Sequence, residues 1–168
     1  MTISGDGTIS GLVAGGLPNA SVLAADLASG AARANFGAGT VLQVVSFSLT
    51  PSFSTTSGTY TNTGISATIT PSSATSKVFI AATFLQNTQA SNITMLTTVF
   101  RDSTALGIEA GQYSASGGYM ASVGAINFVD SPSTTSAITY SIRARVSAGA
   151  GTISMGNPSS IVLMEIAA

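Results

Sequence analysis

The chain contains no cysteine, no histidine and no tryptophan among its 168 residues, and Lys77 is its one lysine. Without cysteine there is no disulfide framework and no thiolate metal site. Without histidine the commonest general base and the commonest metal ligand are both missing, and a Ser-His-Asp triad cannot be assembled. Charge of either sign is scarce: 7% of residues are ionisable Asp, Glu, Lys or Arg, against about 25% in an ordinary soluble domain. The five basic residues, Arg33, Lys77, Arg101, Arg143 and Arg145, are scattered apart from the last pair. A nucleic-acid surface needs clustered positive charge to neutralise phosphates, so no nucleic-acid partner is expected.

Long apolar runs are missing too. The longest is Val78-Phe79-Ile80-Ala81-Ala82, resumed after Thr83 by Phe84-Leu85, whereas a membrane-spanning helix needs roughly 20 apolar residues. The mean hydropathy of +0.47 therefore reflects abundant alanine, and no membrane insertion is expected. No basic stretch with a following apolar run and cleavage site opens the chain, so a secretory signal is not expected. Asn19-Ala20-Ser21 and Asn92-Ile93-Thr94 fit the glycosylation pattern, which in that setting reads as coincidence.

What is present is Ser, Thr, Gly, Ala, Val and Ile, with a net charge of −1. Disordered chains are poor in β-branched residues and rich in charge, the reverse of this composition. A folded surface made of small neutral side chains is prone to association, which predicts a subunit covered by its neighbours.

The chain divides into two parts. Residues 1–40 hold eight glycines and many alanines, with few large side chains beyond Ile3, Ile9, Leu12, Leu17, Leu23, Leu27 and Phe36. Ala20 to Ala28 has the spacing of two helical turns, with Ser21 as N-cap and Gly30 as stop, but is too short to stand alone. This segment is expected to be an anchoring arm, and residues 41–168 the folded head. The head reads as strands: 41–47, 65–70, 77–85, 93–100, 105–108, 119–129, 138–147 and 161–166, separated by turn residues such as Pro71-Ser72-Ser73, Arg101-Asp102-Ser103-Thr104 and Asp130-Ser131-Pro132-Ser133. In 138–147, Ile138, Tyr140, Ile142, Ala144 and Val146 alternate with Thr139, Ser141, Arg143 and Arg145. Regular short strands without intervening helices predict an all-β sandwich or jelly roll. With one lysine to guard its edges, such a sheet is expected to bury them between subunits.

No stretch carries reaction chemistry. Gly5-Asp6-Gly7-Thr8-Ile9-Ser10-Gly11 resembles a phosphate loop only in its glycines: no strand precedes it, no helical period follows, and no Lys-Ser/Thr closes it. The doubled Thr-Ile-Ser-Gly of residues 2–5 and 8–11 reads instead as an extended arm, with Ile3, Ile9, Leu12 and Leu17 as apolar docking residues. The acidic residues stand singly. Asp102 and Asp130 are read as turn formers, and Glu165, amid Val162-Leu163-Met164 and Ile166, as a residue of a solvated face, with Arg143 or Arg145 as its alternative partners at an interface. Lys77 after Ser72, Ser73 and Ser76 reads as the end of a polar turn. Tyr113 and Tyr119 flank a Ser/Gly loop that reads first as a long connection; alternatively they are the candidate exposed contacts for a ligand. No catalytic, cofactor or metal residue is assigned.

Four stretches carry a family likeness: Ala34-Asn35-Phe36-Gly37-Ala38-Gly39-Thr40-Val41-Leu42-Gln43-Val44-Val45, Phe53-Ser54-Thr55-Thr56, Ile65 to Val78, and Val99-Phe100-Arg101-Asp102-Ser103-Thr104. They resemble tailed-bacteriophage virion proteins of the capsid-decoration (cement) and tail-fibre-tip type, over residues 30–110 and more loosely over Val162 to Ile166. The resemblance implies a homotrimer of β-sandwich heads assembled in the host cytoplasm and displayed on the virion surface. The arm would be anchored on the major capsid protein or another virion protein. It implies a structural role without enzymatic activity or cofactor: a trimeric cement protein stabilising the capsid, or alternatively a short fibre tip binding a host surface glycan or receptor.

Overall fold

A computed structural model of the chain describes residues 2–3, 9–10, 37–49, 53–115 and 118–168. The chain separates into two compact units, Met1–Phe36 and Gly37–Ala168. In the first, β1 (Thr2–Ile3) and β2 (Ile9–Ser10) pair antiparallel, with Thr2 opposite Ser10 and Ile3 opposite Ile9. The described residues of the two Thr-Ile-Ser-Gly copies thus form two rungs of one small ladder. Ile3 meets its own duplicate, and the pairing satisfies backbone groups that an isolated extended strand leaves open. The helical turns expected over 20–28, and Leu12 and Leu17, lie outside the described residues.

The second unit holds β3 (Val41–Leu49), β4 (Phe53–Thr55), β5 (Thr61–Ile69), β6 (Lys77–Thr88), β7 (Ile93–Arg101), β8 (Thr104–Ser114), β9 (Met120–Asp130), β10 (Ile138–Ala148) and β11 (Ile153–Ile166). They form two antiparallel sheets, one in the order β5-β10-β7-β8 and the other β3-β11-β6-β9, with the short β4 also on β11. Leaving out β4 and counting from β3, the eight long strands lie in the orders 2-7-4-5 and 1-8-3-6, the arrangement of an eight-stranded jelly roll. The all-β sandwich expected from the strand spacing is therefore the fold.

Alternation decides which side chains meet. Ile65, Ile69, Ile80, Phe84, Ile93, Met95, Tyr140, Ile142, Ile161 and Leu163 are all fully or almost fully buried between the sheets. Each belongs to a strand whose residues two apart share a face. The expected apolar set of β10, from Ile138 to Val146, is buried throughout.

Turns follow from local chemistry. Asp102 sits at φ 52° in the β7–β8 turn, where a short polar side chain tolerates the left-handed region. Its Oδ1 accepts the Thr139 N–H at 3.0 Å, so Asp102 is the turn residue the sequence predicts. In the β10–β11 turn, Gly149 lies at φ +79° and a Cβ there would fall 2.1 Å from the Asn92 carbonyl oxygen, so only glycine fits.

β8 runs on to Ser114, well beyond the 105–108 expected, and β11 begins at Ile153, eight residues before the expected Ile161. Each extension contains an irregularity that hides strand character in the sequence. β8 shifts register against β7 between Thr98 and Phe100 and carries Gly107 at φ +77°. β11 shifts against β6 between Gly156 and Ser160, around Pro158.

Candidate interaction surface

The register across the five-stranded sheet fixes what its outer face presents. Val44 on β3 lies opposite Met164 on β11, Met164 opposite Phe79 on β6, and Phe79 opposite Val129 on β9. Four strands thus contribute one continuous apolar row. The next row is Ser46, Val162, Ala81 and Asn127, and the one after it Ser48, Ser160, Thr83 and Ala125. Val44 is 57% exposed and Val129 51%, while Phe79, Val162 and Met164 are half-buried. Lys77, opposite Ile166 at the rim, is the charged residue on this face among the described residues. Apart from Lys77 the face carries no charge, and beside its one continuous apolar row it presents small neutral side chains, which makes it a candidate contact surface.

The face carries no negative charge because the two nearby carboxylates point the other way. Glu165 is fully buried, which corrects its assignment to a solvated face. Its Oε1 accepts the Ser72 N–H at 2.7 Å, the Ser72 hydroxyl at 2.6 Å and the Ser76 hydroxyl at 2.8 Å. Its Oε2 accepts the Gln43 amide at 2.5 Å, and the same Gln43 nitrogen donates to the Thr70 carbonyl at 2.7 Å. Burial alone raises its pKa, but the bonds from Ser72, Gln43 and Ser76 together outweigh it and hold the carboxyl below its ordinary value. The alternation reading failed because Val162 and Met164, not Leu163 and Glu165, face outward. Arg143 and Arg145 are not its partners, since they stand on β10 in the other sheet.

The serines that precede Lys77 therefore have a structural task. Ser72 and Ser76 clamp the β5–β6 connection onto the end of β11, and Lys77 itself is exposed. Asp130 also differs from expectation. It accepts a two-pronged ion pair from Arg101 Nη1, at 3.1 and 2.9 Å, and the Tyr140 hydroxyl at 2.7 Å. A side chain of β9 is thereby tied to β7 and β10 of the opposite sheet. Burial, and then the bond to Asp130, push the Tyr140 phenol far above its ordinary pKa of 10.0.

The outer face of the four-stranded sheet is of another kind. Arg143 stacks 4.1 Å from the Phe100 ring centre and Arg145 lies 5.0 Å from that of Tyr60. Tyr60 meets Phe100 edge-on at 5.7 Å and donates its hydroxyl to Glu109. Burial, and then the bond to Glu109, raise the Tyr60 pKa. These groups use one another, so the cluster fastens the β4–β5 connection over the sheet.

Tyr113 is the penultimate residue of β8 and Tyr119 precedes β9, 53% and 66% exposed respectively. Their hydroxyls donate to Asn92 and Asn87, each at 3.1 Å. Ile3 and Ile9 are brought opposite each other in the β1–β2 ladder. Among the described residues no group of three or more Asp, Glu, His or Cys is placed to hold a metal ion, and no helix is long and apolar enough to cross a membrane.

No family model matches the chain, and no curated protein is significantly similar to it. Among solved structures, the chain is similar to T=1 particles derived from infectious bursal virus, with a TM-score of 0.51 and 14% identity, over 73% of this chain and 31% of that one. The infectious bursal disease virus VP2 subviral particle gives a TM-score of 0.42 at 16% identity, over 75% of this chain and 38% of that one. The chain spans about a third of the length of the first of these. At 14% identity the likeness to the T=1 particles is one of fold, and it agrees with the strand order of an all-β jelly-roll sandwich.

Proposed function

We propose that the protein is a non-enzymatic structural subunit of a virus particle, working through its surfaces rather than through a reaction centre. The observation that carries this reading is the charge-poor apolar outer face of the five-stranded sheet, set on a jelly roll. The likeness of residues 34–45, 53–56, 65–78 and 99–104 to tailed-phage virion proteins favours a bacteriophage capsid. There the protein would act as a homotrimeric cement protein on the particle surface. In this reading residues 1–40 dock on the major capsid protein or another virion protein through Ile3, Ile9, Leu12 and Leu17. Many small contacts engaged together then give a hold that no single one supplies.

Quantitative mass spectrometry of purified particles tests this. A decoration subunit is expected at on the order of hundreds of copies per particle, and a count of tens or fewer would overturn the capsid assignment. The exposed Tyr113 and Tyr119 favour, as the second reading, a short fibre tip that binds a host glycan. Saturable binding of the intact protein to a glycan array, lost in Tyr113→Ala and Tyr119→Ala, would support it.

A further inference from the structure

A sandwich of two open sheets has four edges, and an edge strand is a template for another chain unless something interrupts it. Three of the edges here are interrupted. The β3 edge has a register shift against β11 between Glu165 and Ile166, and is separated from β4 by Thr50-Pro51-Ser52. The β5 edge shifts against β10 between Ser141 and Arg143, with Gly64 at φ 86°. The β8 edge shifts against β7 and carries Gly107 in the left-handed region.

β9 has no such device. It pairs with β6 through eleven consecutive residues, from Val78 opposite Asp130 to Thr88 opposite Met120, without a shift. The strand contains no proline, lysine or arginine, and its single charge, Asp130, is engaged by Arg101 and Tyr140. Among the described residues no strand lies on its other side, and Val123 is 71% exposed.

We propose that β9 pairs antiparallel with β9 of a second copy of this chain, about a two-fold axis at Ala125, so that two five-stranded sheets become one. The strand is self-complementary in this register. Val123 falls opposite Asn127 and Ala121 opposite Val129, outward on outward, while Met120 falls opposite Asp130, inward on inward, and no like charges are apposed. An edge of about 37 Å, eleven residues at the antiparallel rise, is joined, and the apolar outer faces of both copies become continuous. A two-fold contact closes at two copies, so on the trimeric reading proposed above it would link neighbouring trimers rather than build one. It stands whether the particle site is capsid or tail.

The absence of cysteine makes the test clean. In the intact protein, Ala125→Cys places two thiols across the axis with Cα atoms about 4.5–5.5 Å apart, within disulfide reach. In the same register two copies of Val129→Cys lie about 27 Å apart. Under mild oxidation, Ala125→Cys is expected to run as a dimer on a non-reducing denaturing gel, at least tenfold more than Val129→Cys. Equal cross-linking of the two, or none in Ala125→Cys, overturns the proposal, as does an edge filled only by an extended segment of another protein. The Ala125 side chain is exposed, so charge variants there keep the fold and give a second readout. Ala125→Lys and Ala125→Glu should each lose the association alone and regain it when mixed; failure of the mixture to associate also counts against self-pairing.

Discussion

Glu165 shows how a single side chain can be misread and what the misreading conceals. In sequence it is an isolated acid among apolar residues. In the fold its carboxylate collects four donor contacts from Ser72, Ser76 and Gln43, joining the β5–β6 connection, β3 and β11. Glu165→Gln keeps the shape and removes the charge, and is expected to cost about 1.5–3 kcal/mol at pH 7, the range for hydrogen bonds to charged groups, as measured by urea unfolding. The pH dependence has a definite sign. The folded carboxyl holds its proton less tightly than the unfolded one, whose ordinary pKa is 4.5. The stability from this cluster is therefore present above about pH 4.5 and is lost as the pH falls through the lower folded value. The variant should show a flatter acid limb than the parent; parallel limbs would mean that Glu165 is not held as a buried carboxylate.

At the scale of elements, the legible strands are those whose pattern runs unbroken. β6 announces itself over Val78 to Phe84, and β10 over Ile138 to Val146, because there every second residue is apolar and buried. The first half of β11 and the second half of β8 do not, because Gly156, Pro158 and Gly107 break the pattern where the ladders shift register. Turns divide likewise. Asp102 is recognisable from its residue type, but the demand on Gly149 comes from the Asn92 carbonyl of a different loop, which no local pattern contains. Gly149→Ala combines a positive φ with that collision, and is expected to cost about 2 kcal/mol or more. In a domain of this size that lowers the midpoint by about 4–8 °C in calorimetry. An unchanged midpoint would mean that the β10–β11 turn does not hold this conformation.

For the molecule as a whole, the two compact units give different expectations. The core is built between the two sheets of the second unit, so deleting residues 1–36 should leave a cooperative thermal transition within a few degrees of the parent. On the proposed function, the same deletion removes attachment to the particle, scored by co-sedimentation of purified protein with stripped particles. Loss of the cooperative transition would make the first unit part of the folding core. Normal loading of the truncated protein would strip residues 1–40 of their anchoring role. The charge-poor outer face offers an independent handle: Phe79→Lys sets a charge in the centre of the row Val44, Met164, Phe79 and Val129 without entering the core. It is expected to weaken particle loading in the same co-sedimentation assay while leaving the thermal transition in place.

By itself the sequence determined the fold class, because period-2 alternation and turn residues are local properties that strand geometry reads directly. It also set what chemistry the chain lacks, since no fold can supply a histidine or a cysteine. Only the tertiary structure decided which face each charge takes. Glu165 and Asp130 turn inward because partners distant in the chain, Ser72 and Gln43 in one case and Arg101 and Tyr140 in the other, arrive to meet them. The bare outer face and the unbroken β9 edge follow from the same cause. They are properties of strands brought side by side, and strand order is set by long-range pairing that no short stretch of residues encodes.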